Sequence, residues 1–279
     1  MSENEQMGSI PAEGSKVSPA SPAPVAGSAK AAGSSKASVK KKESWLEVFK
    51  TVVYALLIAG VIRSFIFQPF NIPSGSMEAT LLVGDYLFVS KFSYGYSRAS
   101  FPFGIIPMTG RVWSAQPERG DIVVFKTPMD NKTDFIKRLI GLPGDRIQMQ
   151  YGTLYLNGKA IPKVAVEPYV ESVAGYETRV SRFRETLPNG VSYNVLDREP
   201  AGNLDTTDVF IVPEGHYFMM GDNRDNSDDS RAGVGFVPFE NLVGKAQIIF
   251  FSHNSSARIW ELWRWPFAIR YERIGELTR

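Results

Sequence analysis

Hydrophobic positions follow two different patterns along this chain. Residues 1–44 are rich in Ala, Ser, Gly, Pro and Lys and contain no Phe, Tyr, Trp or Leu. Such a segment has too little apolar surface to offset the entropy of ordering it, and it reads as a disordered tail. Trp45 to Lys50 is amphipathic, and the residues from Thr51 to Ile62 carry no charge. Extended to Phe70, the apolar run holds Arg63 as its single charge, and Pro69 closes it. At about 1.5 Å per residue the run is long enough to cross a bilayer core, with Arg63 reaching for the far interface. A buried core helix is the alternative for the uncharged stretch alone. A cleaved signal peptide is disfavoured by the long leader and by the lack of a small-x-small site after the run.

Beyond Phe70 the pattern becomes one of short apolar runs punctuated by Gly, Pro and Asn. Strands are expected at Tyr86 to Val89, Asp121 to Lys126, Phe135 to Ile140, Arg146 to Gln150, Thr153 to Leu156, His216 to Met220 and Val243 to Phe251. Asn157-Gly158 and Asn189-Gly190 mark tight turns. The fold class is therefore mainly β: an antiparallel β-sheet domain preceded by one N-terminal transmembrane helix. The boundaries are 1–44 for the tail, 45–68 for the anchor and 69–279 for the β domain, with about 164–208 as a peripheral β subdomain of unassigned role. Lys40, Lys41, Lys42 and Lys50 flank the N-terminal side of the anchor, which makes that side cytoplasmic and the β domain extracytoplasmic.

Charge and composition narrow the chemistry. The tail has six Lys and four Glu of the chain's 31 basic and 29 acidic residues, leaving 25 of each in the remainder. That balance gives no overall footprint for nucleic acid. Without cysteine there is no disulfide framework, thiolate zinc site or cysteine nucleophile, and with only His216 and His253 no three-histidine zinc site.

Three segments could carry chemistry. Pro73-Ser74-Gly75-Ser76-Met77 follows the proposed membrane exit; taken alone it is an ordinary turn, and a serine nucleophile there needs a base. Asp134 to Asp145 reads as a strand running into a turn. Lys137 within it would be a base only when neutral, which requires burial, and Phe135, Ile136, Leu139 and Ile140 can supply apolar surroundings. Gly221 to Arg231 is an almost wholly polar loop. As a calcium loop it fails, because Ser230 and Phe236 stand where glycine and glutamate are required; Asp229 and Arg231 can instead pair and hold Ser227.

In this order behind an anchor, the three segments resemble the type I signal peptidases of bacteria, from the anchor to about Phe251. The resemblance implies Ser76 as nucleophile, Lys137 as general base, and the Ser76 N–H with the Ser74 hydroxyl as oxyanion hole. Ser227 would orient the lysine, and Asp229 and Arg231 would brace its loop. Ile72, Met77, Leu81 and Phe135 would line a first substrate pocket, with Phe70, Ile136 and Leu87 near a second. The resemblance further implies exported preproteins as substrates, cut after small residues. It implies the bacterial inner membrane as location, contact with the lipid bilayer and the secretion machinery, and no metal or other cofactor. Arg119-Gly120-Asp121 then reads as the start of a family strand rather than an adhesion motif. Neither histidine is expected to be catalytic. Ala79 stands where the family usually has proline, a change expected to loosen the turn after Ser76. Phe101, Phe103, Ile105 and Ile106, and Trp260, Trp263, Trp265 and Phe267, are aromatic and apolar groups suited to a membrane interface. The competing functions are a specialised conjugation or pilus maturation peptidase, a self-cleaving repressor, and a tethered β domain that only binds peptides.

Overall fold

The computed structural model describes residues 45–101, 108–173, 176–199, 201–254, 256–257 and 260–278. The tail assigned to 1–44, and Phe103, Ile105 and Ile106, lie outside the described residues. The elements are α1 (Trp45–Phe65), β1 (Phe67–Asn71), β2 (Asp85–Ser90), β3 (Ile122–Lys126), β4 (Asp134–Gly141), β5 (Arg146–Gln150), β6 (Thr153–Leu156) and β7 (Lys159–Ala160). They continue with β8 (Lys163–Val173), β9 (Tyr176–Thr186), β10 (Ser192–Asp197), β11 (Phe210–Ile211), β12 (His216–Met220), β13 (Val237–Pro238), β14 (Leu242–Ser252) and α2 (Trp265–Ala268).

α1 is apolar all round and buries no residue against the rest of the chain, which fits a membrane-crossing helix by length and composition. Among the described residues it is the one helix long and apolar enough to cross a membrane. It ends at Phe65, and β1 begins at Phe67. The junction is fixed by the Tyr96 hydroxyl, which donates to the Phe65 carbonyl (2.5 Å), and by edge-on packing of the Phe65 ring against Tyr96 and Phe101. Pro69, which lacks an amide donor, sits within β1 at the sheet edge, where a missing N–H costs least.

The fold is mainly β. A seven-stranded antiparallel sheet runs β1-β2-β14-β3-β4-β12-β13, a four-stranded sheet runs β11-β5-β6-β7, and β8, β9 and β10 make a third. The short apolar runs became β2 to β6, β12 and β14 because each buries alternate or continuous apolar side chains in the core. The Asn157-Gly158 turn joins β6 to β7 with both residues at positive φ, the backbone that a two-residue hairpin turn demands. Asn189-Gly190 closes β9 onto β10, and the Asn189 amide ties that turn to the Arg119 carbonyl (2.7 Å). The β8–β9 hairpin is long and rich in charge. Its base and β10 nevertheless reach the core, where Leu187, Tyr193 and Val195 pack with Ile140, Phe218 and Met220.

Candidate active site

Ser76 lies in a single 3-10 turn, Gly75–Met77, just beyond β1. Lys137 lies in the middle of β4, opposite Val123 of β3. The two segments meet because Met77 and Leu81 on one side and Ile136 on the other are buried in one apolar cluster with Ile72 and Leu87. There the Lys137 Nζ lies 2.6 Å from the Ser76 Oγ, with Lys137 only 4% and Ser76 8% exposed. Burial lowers the Lys137 pKa to about 8; Asp229, Asp228 and Asp222 pull it upward and Arg231 pushes it down. A lysine in this state holds a useful fraction of neutral amine near neutral pH.

Ser74 precedes the turn in extended conformation, exposed, with no hydrogen bond capping it. The first amides of a helical turn have no partner within it, which leaves the Ser76 N–H without a partner inside the turn. The main chain of the turn is held from behind: the Asn223 N–H donates to the Ser76 carbonyl (3.1 Å) and its side-chain amide to the Gly75 carbonyl (2.9 Å).

The polar loop 221–231 turns its carboxylates toward guanidinium and amide donors. Asp229 accepts from Arg231 at 3.0 and 2.8 Å and from the Gly221 N–H at 3.0 Å. Burial pushes the Asp229 carboxyl up, but Arg231 and these backbone amides outweigh it and hold the pKa below the usual value. Asp225 accepts the Arg198 and Glu199 amides, and Asp228 the Gly233 amide. Ser227 is buried, and its hydroxyl makes no hydrogen bond among the described residues, to Lys137 or any other group.

Three features escaped sequence reasoning. Gly221 is sterically required: a Cβ there would lie 2.2 Å from the Ser227 Oγ and 2.6 Å from the Ser76 carbonyl oxygen. Arg138, fully buried, forks onto Asp222 at 2.9 and 2.7 Å, and the Thr80 hydroxyl joins the same carboxylate at 2.6 Å. An arginine inside an apolar strand is itself a signal, because burial demands a carboxylate partner. The third is Ala79. Its φ is +91°, a value that the proline ring cannot reach. The expected loosening by loss of proline therefore does not describe this turn, which occupies a backbone region that proline is denied.

The residues assigned to substrate pockets divide by strand face. Ile136 joins Ile72, Met77, Leu81 and Leu87 in the buried cluster, with Phe70 packed against it. Phe135 points to the other face of β4, toward Phe125, with the Lys137 Nζ 5.4 Å from its ring centre. Asp121 is held by the Tyr94 hydroxyl (2.8 Å) and Lys245 (2.5 Å) at the start of β3, so Arg119-Gly120-Asp121 serves the strand. His216 opens β12 with its Nδ1 2.9 Å from the Glu214 carbonyl, and His253 packs among Tyr86, Phe251 and Trp265. Trp260, Trp263 and Phe267 are exposed, while Trp265 stacks on Phe251.

The family model "Signal peptidase, peptidase S26" matches residues 45–251, which contain every element of this site except the exposed C-terminal aromatics. The chain belongs to this family. It is similar to signal peptidase I of Rickettsia typhi, 46% identical over 223 residues that cover 77% of this chain and 83% of the relative. The signal peptidase I of Rickettsia canadensis is 47% identical over 215 residues, covering 73% of this chain and 79% of that one. A crystal structure of a signal peptidase I from Enterococcus faecalis is 32% identical and covers 47% of this chain and 97% of its own, with a TM-score of 0.28.

Proposed function

We propose that this chain is a membrane-anchored serine endopeptidase that removes signal peptides from exported preproteins, with Ser76 as nucleophile and Lys137 as general base. The observation that carries the reading is the 2.6 Å contact between the Lys137 Nζ and the Ser76 Oγ in a buried setting that favours the neutral amine. The Ser76 oxygen attacks the scissile carbonyl carbon while its proton passes to Lys137. The oxyanion that forms accepts from the Ser76 N–H and the Ser74 hydroxyl, a preorganised pair of a kind that contributes several kcal/mol to transition-state stabilisation. The lysine then gives its proton to the departing amine, leaving an acyl-serine. Water, deprotonated by the regenerated Lys137 amine, then attacks the acyl carbon and releases the signal peptide from Ser76. The expected role of Ser227 in orienting the lysine has no hydrogen bond behind it, since its buried hydroxyl has no partner among the described residues.

Substrate choice follows from the apolar cluster beside Ser76. Ile72, Met77, Leu81, Leu87 and Ile136 are buried in that cluster, so the wall they form behind Ser76 leaves no deep pocket: a small side chain is accepted there and a Leu or Phe is rejected by clash. Phe70 and Phe135, each half-buried at an end of β1 or β4, border the approach.

Membrane geometry supports the same reading. At about 1.5 Å per residue, the 21 residues of α1 span roughly 31 Å, close to a hydrocarbon core of about 30 Å. The lysines before it orient it with the N-terminus in the cytoplasm and the β domain outside the inner membrane. Ser76 follows the end of α1 by eleven positions, so cleavage takes place near the lipid surface. Exposed Trp260, Leu262, Trp263 and Phe267 suit that surface, and the secretion machinery that delivers preproteins there is the partner this reading calls for.

The test is cleavage of a purified preprotein in detergent by wild type, Ser76→Ala and Lys137→Ala, with mass spectrometry of the products. A cut after a small residue that vanishes in both variants is expected. A folded wild type that binds the preprotein without cutting it would leave a peptide-binding domain instead.

A further inference from the structure

The sheet of β8, β9 and β10 contributes no group to the reaction scheme above, yet three connections run from it to the site. The Leu196 N–H donates to the Asp222 carbonyl (2.9 Å) and the Leu196 carbonyl accepts from the Arg224 N–H (3.0 Å), a parallel bridge between β10 and the loop 221–231. The Arg224 guanidinium forks onto Glu185 of β9 at 2.9 and 2.5 Å, both groups buried.

The third connection is Arg198, one residue beyond β10. Its Nη1 donates to Glu171 of β8 (2.6 Å), its Nη2 to Glu78 (3.1 Å) and its Nε to the Asn223 side-chain oxygen (3.1 Å). Asn223 in turn holds the carbonyls of Gly75 and Ser76, and its amide also reaches Glu78 at 3.3 Å. The Glu78 carboxyl lies directly over Gly75, where a Cβ would meet it at 2.8 Å. Burial and the nearby Glu171 raise the Glu78 pKa, against the pull of Arg198. Arg198 thus ties one strand of the outer sheet to two groups that grip the nucleophile turn.

The turn needs an external grip. Ala79 holds a φ of +91° between Glu78 and Thr80, a conformation that persists only when its surroundings enforce it. Thr80 is held by Asp222 and Glu78 by Arg198, so the strained residue is clamped from both sides.

We propose that Arg198 is a positioning residue for peptide-bond cleavage: through Glu78 and Asn223 it fixes the main chain of Gly75 and Ser76, and with it the direction of the Ser76 hydroxyl toward Lys137. The proposal rests on Ser76 being the nucleophile. Arg198 itself touches neither the Ser76 side chain nor Lys137. Arginine suits the task because one planar fork serves three acceptors in fixed directions, which a lysine ammonium on a flexible stem does not.

The test compares Arg198→Ala, Arg198→Lys, Glu78→Ala and the Arg198→Ala/Glu78→Ala double variant with wild type and Ser76→Ala, all as full chains in detergent cleaving one preprotein. Arg198→Ala is expected to lower kcat by roughly tenfold to a hundredfold, as small misplacements of reacting groups do, with KM changed less than about threefold. The pH midpoint of kcat should not move, since the charges acting on Lys137 are those of Asp229, Asp228, Asp222 and Arg231. Arg198→Lys should recover part of the loss, and the double variant should be less impaired than the product of the single losses. Full kcat in Arg198→Ala, beside an inactive Ser76→Ala, overturns the positioning role alone. A shifted pH midpoint with no recovery by lysine overturns it in favour of general support of the fold. Activity surviving in Ser76→Ala overturns the nucleophile and the proposal together.

Discussion

Replacing Lys137 with Met should abolish cleavage and stabilise the fold, and the second effect has a calculable pH dependence. The folded pKa is about 8, against 10.5 for the free side chain. Each unit is worth about 1.4 kcal/mol, so a protonated Lys137 destabilises the fold by about 3 kcal/mol relative to an unperturbed lysine. The sign follows from proton counts. Below pH 8 both folded and unfolded states carry the proton and the full penalty applies. Between about 8 and 10.5 the folded state has released its proton while the unfolded state keeps it, so rising pH relieves the penalty. Met keeps most of the stem's apolar volume and carries no charge. At pH 7 the Lys137→Met chain should therefore unfold at a temperature several degrees above wild type, as about 2–4 °C per kcal/mol implies for a domain of this size. The difference should shrink as pH rises from 8 to 10.5. On the proposed mechanism the same depression sets activity: with a pKa near 8 about a tenth of Lys137 is neutral at pH 7, against roughly one part in three thousand at 10.5, a gain of about 300-fold in free base. Thermal unfolding of both chains in detergent at pH 6, 7, 9 and 10, followed by circular dichroism, reads the first effect. A variant no more stable than wild type at pH 7, or a difference that grows with pH, would refute the reasoning.

Other substitutions probe other parts of the site. Ala79→Gly should stabilise the chain by about 1 kcal/mol, because relief of a strain of about 1–3 kcal/mol exceeds the added entropy of an unfolded glycine, whereas Ala79→Pro should destabilise it by more than about 3 kcal/mol; equal urea midpoints for Gly and Pro would rule this out. Gly221→Ala forces a methyl to within 2.6 Å of the Ser76 carbonyl oxygen, and activity should fall at least about a hundredfold with a loss of about 1–3 kcal/mol in stability; a variant with wild-type kcat would show that the loop yields freely. Glu185→Ala leaves Arg224 buried without its carboxylate and should cost about 3–5 kcal/mol, measured by urea unfolding and contradicted by a change below about 1 kcal/mol.

The strands that sequence reading located are those that bury apolar side chains. β5, β6 and β12 match the expected ranges residue for residue, and β2, β3, β4 and β14 differ only by a residue at their ends. β8 and β9 fall in the expected peripheral β subdomain but were not located as strands, because Glu167, Glu171, Glu177, Arg179, Arg182 and Arg184 break any apolar run; pairing of the long hairpin compensates for what its side chains lack. β1 lay hidden at the end of the hydrophobic anchor run, where composition cannot distinguish lipid from sheet. Ser76 and Lys137, which the structure brings into contact, could be proposed as a pair because a turn serine and a strand lysine come in a recognisable order. Asn223 and Gly221 were not, because one acts through main-chain carbonyls 148 and 147 positions away and the other through the lack of a Cβ.

The neutral count of the residues after the tail conceals buried ion pairs beside the proposed dyad, and these explain why the Lys137 ammonium gives up its proton readily enough for the amine to serve as the proposed base. Asp222 is paired with Arg138 and Asp229 with Arg231, all four buried. Such pairs add little to stability over apolar replacements of the same volume. Their effect here is on the lysine: Asp222 and Asp229, two of the three carboxylates that pull its pKa upward, already face a guanidinium, so burial prevails and the pKa falls. Removing one partner should unbalance the field in a predictable direction. Arg231→Met leaves the Asp229 carboxylate unopposed, which should raise the Lys137 pKa, move the lower limb of the kcat/KM profile to higher pH and reduce activity at pH 7. Asp229→Asn removes an attracting charge and leaves Arg231 repelling, which should move the limb to lower pH. Arg231→Lys keeps the charge and should leave the midpoint near that of wild type even where geometry lowers the rate. Circular dichroism confirms that each variant is folded before its profile is taken. Midpoints that shift in the same direction for Arg231→Met and Asp229→Asn would mean that the pair sets the shape of the loop without setting the proton affinity of Lys137.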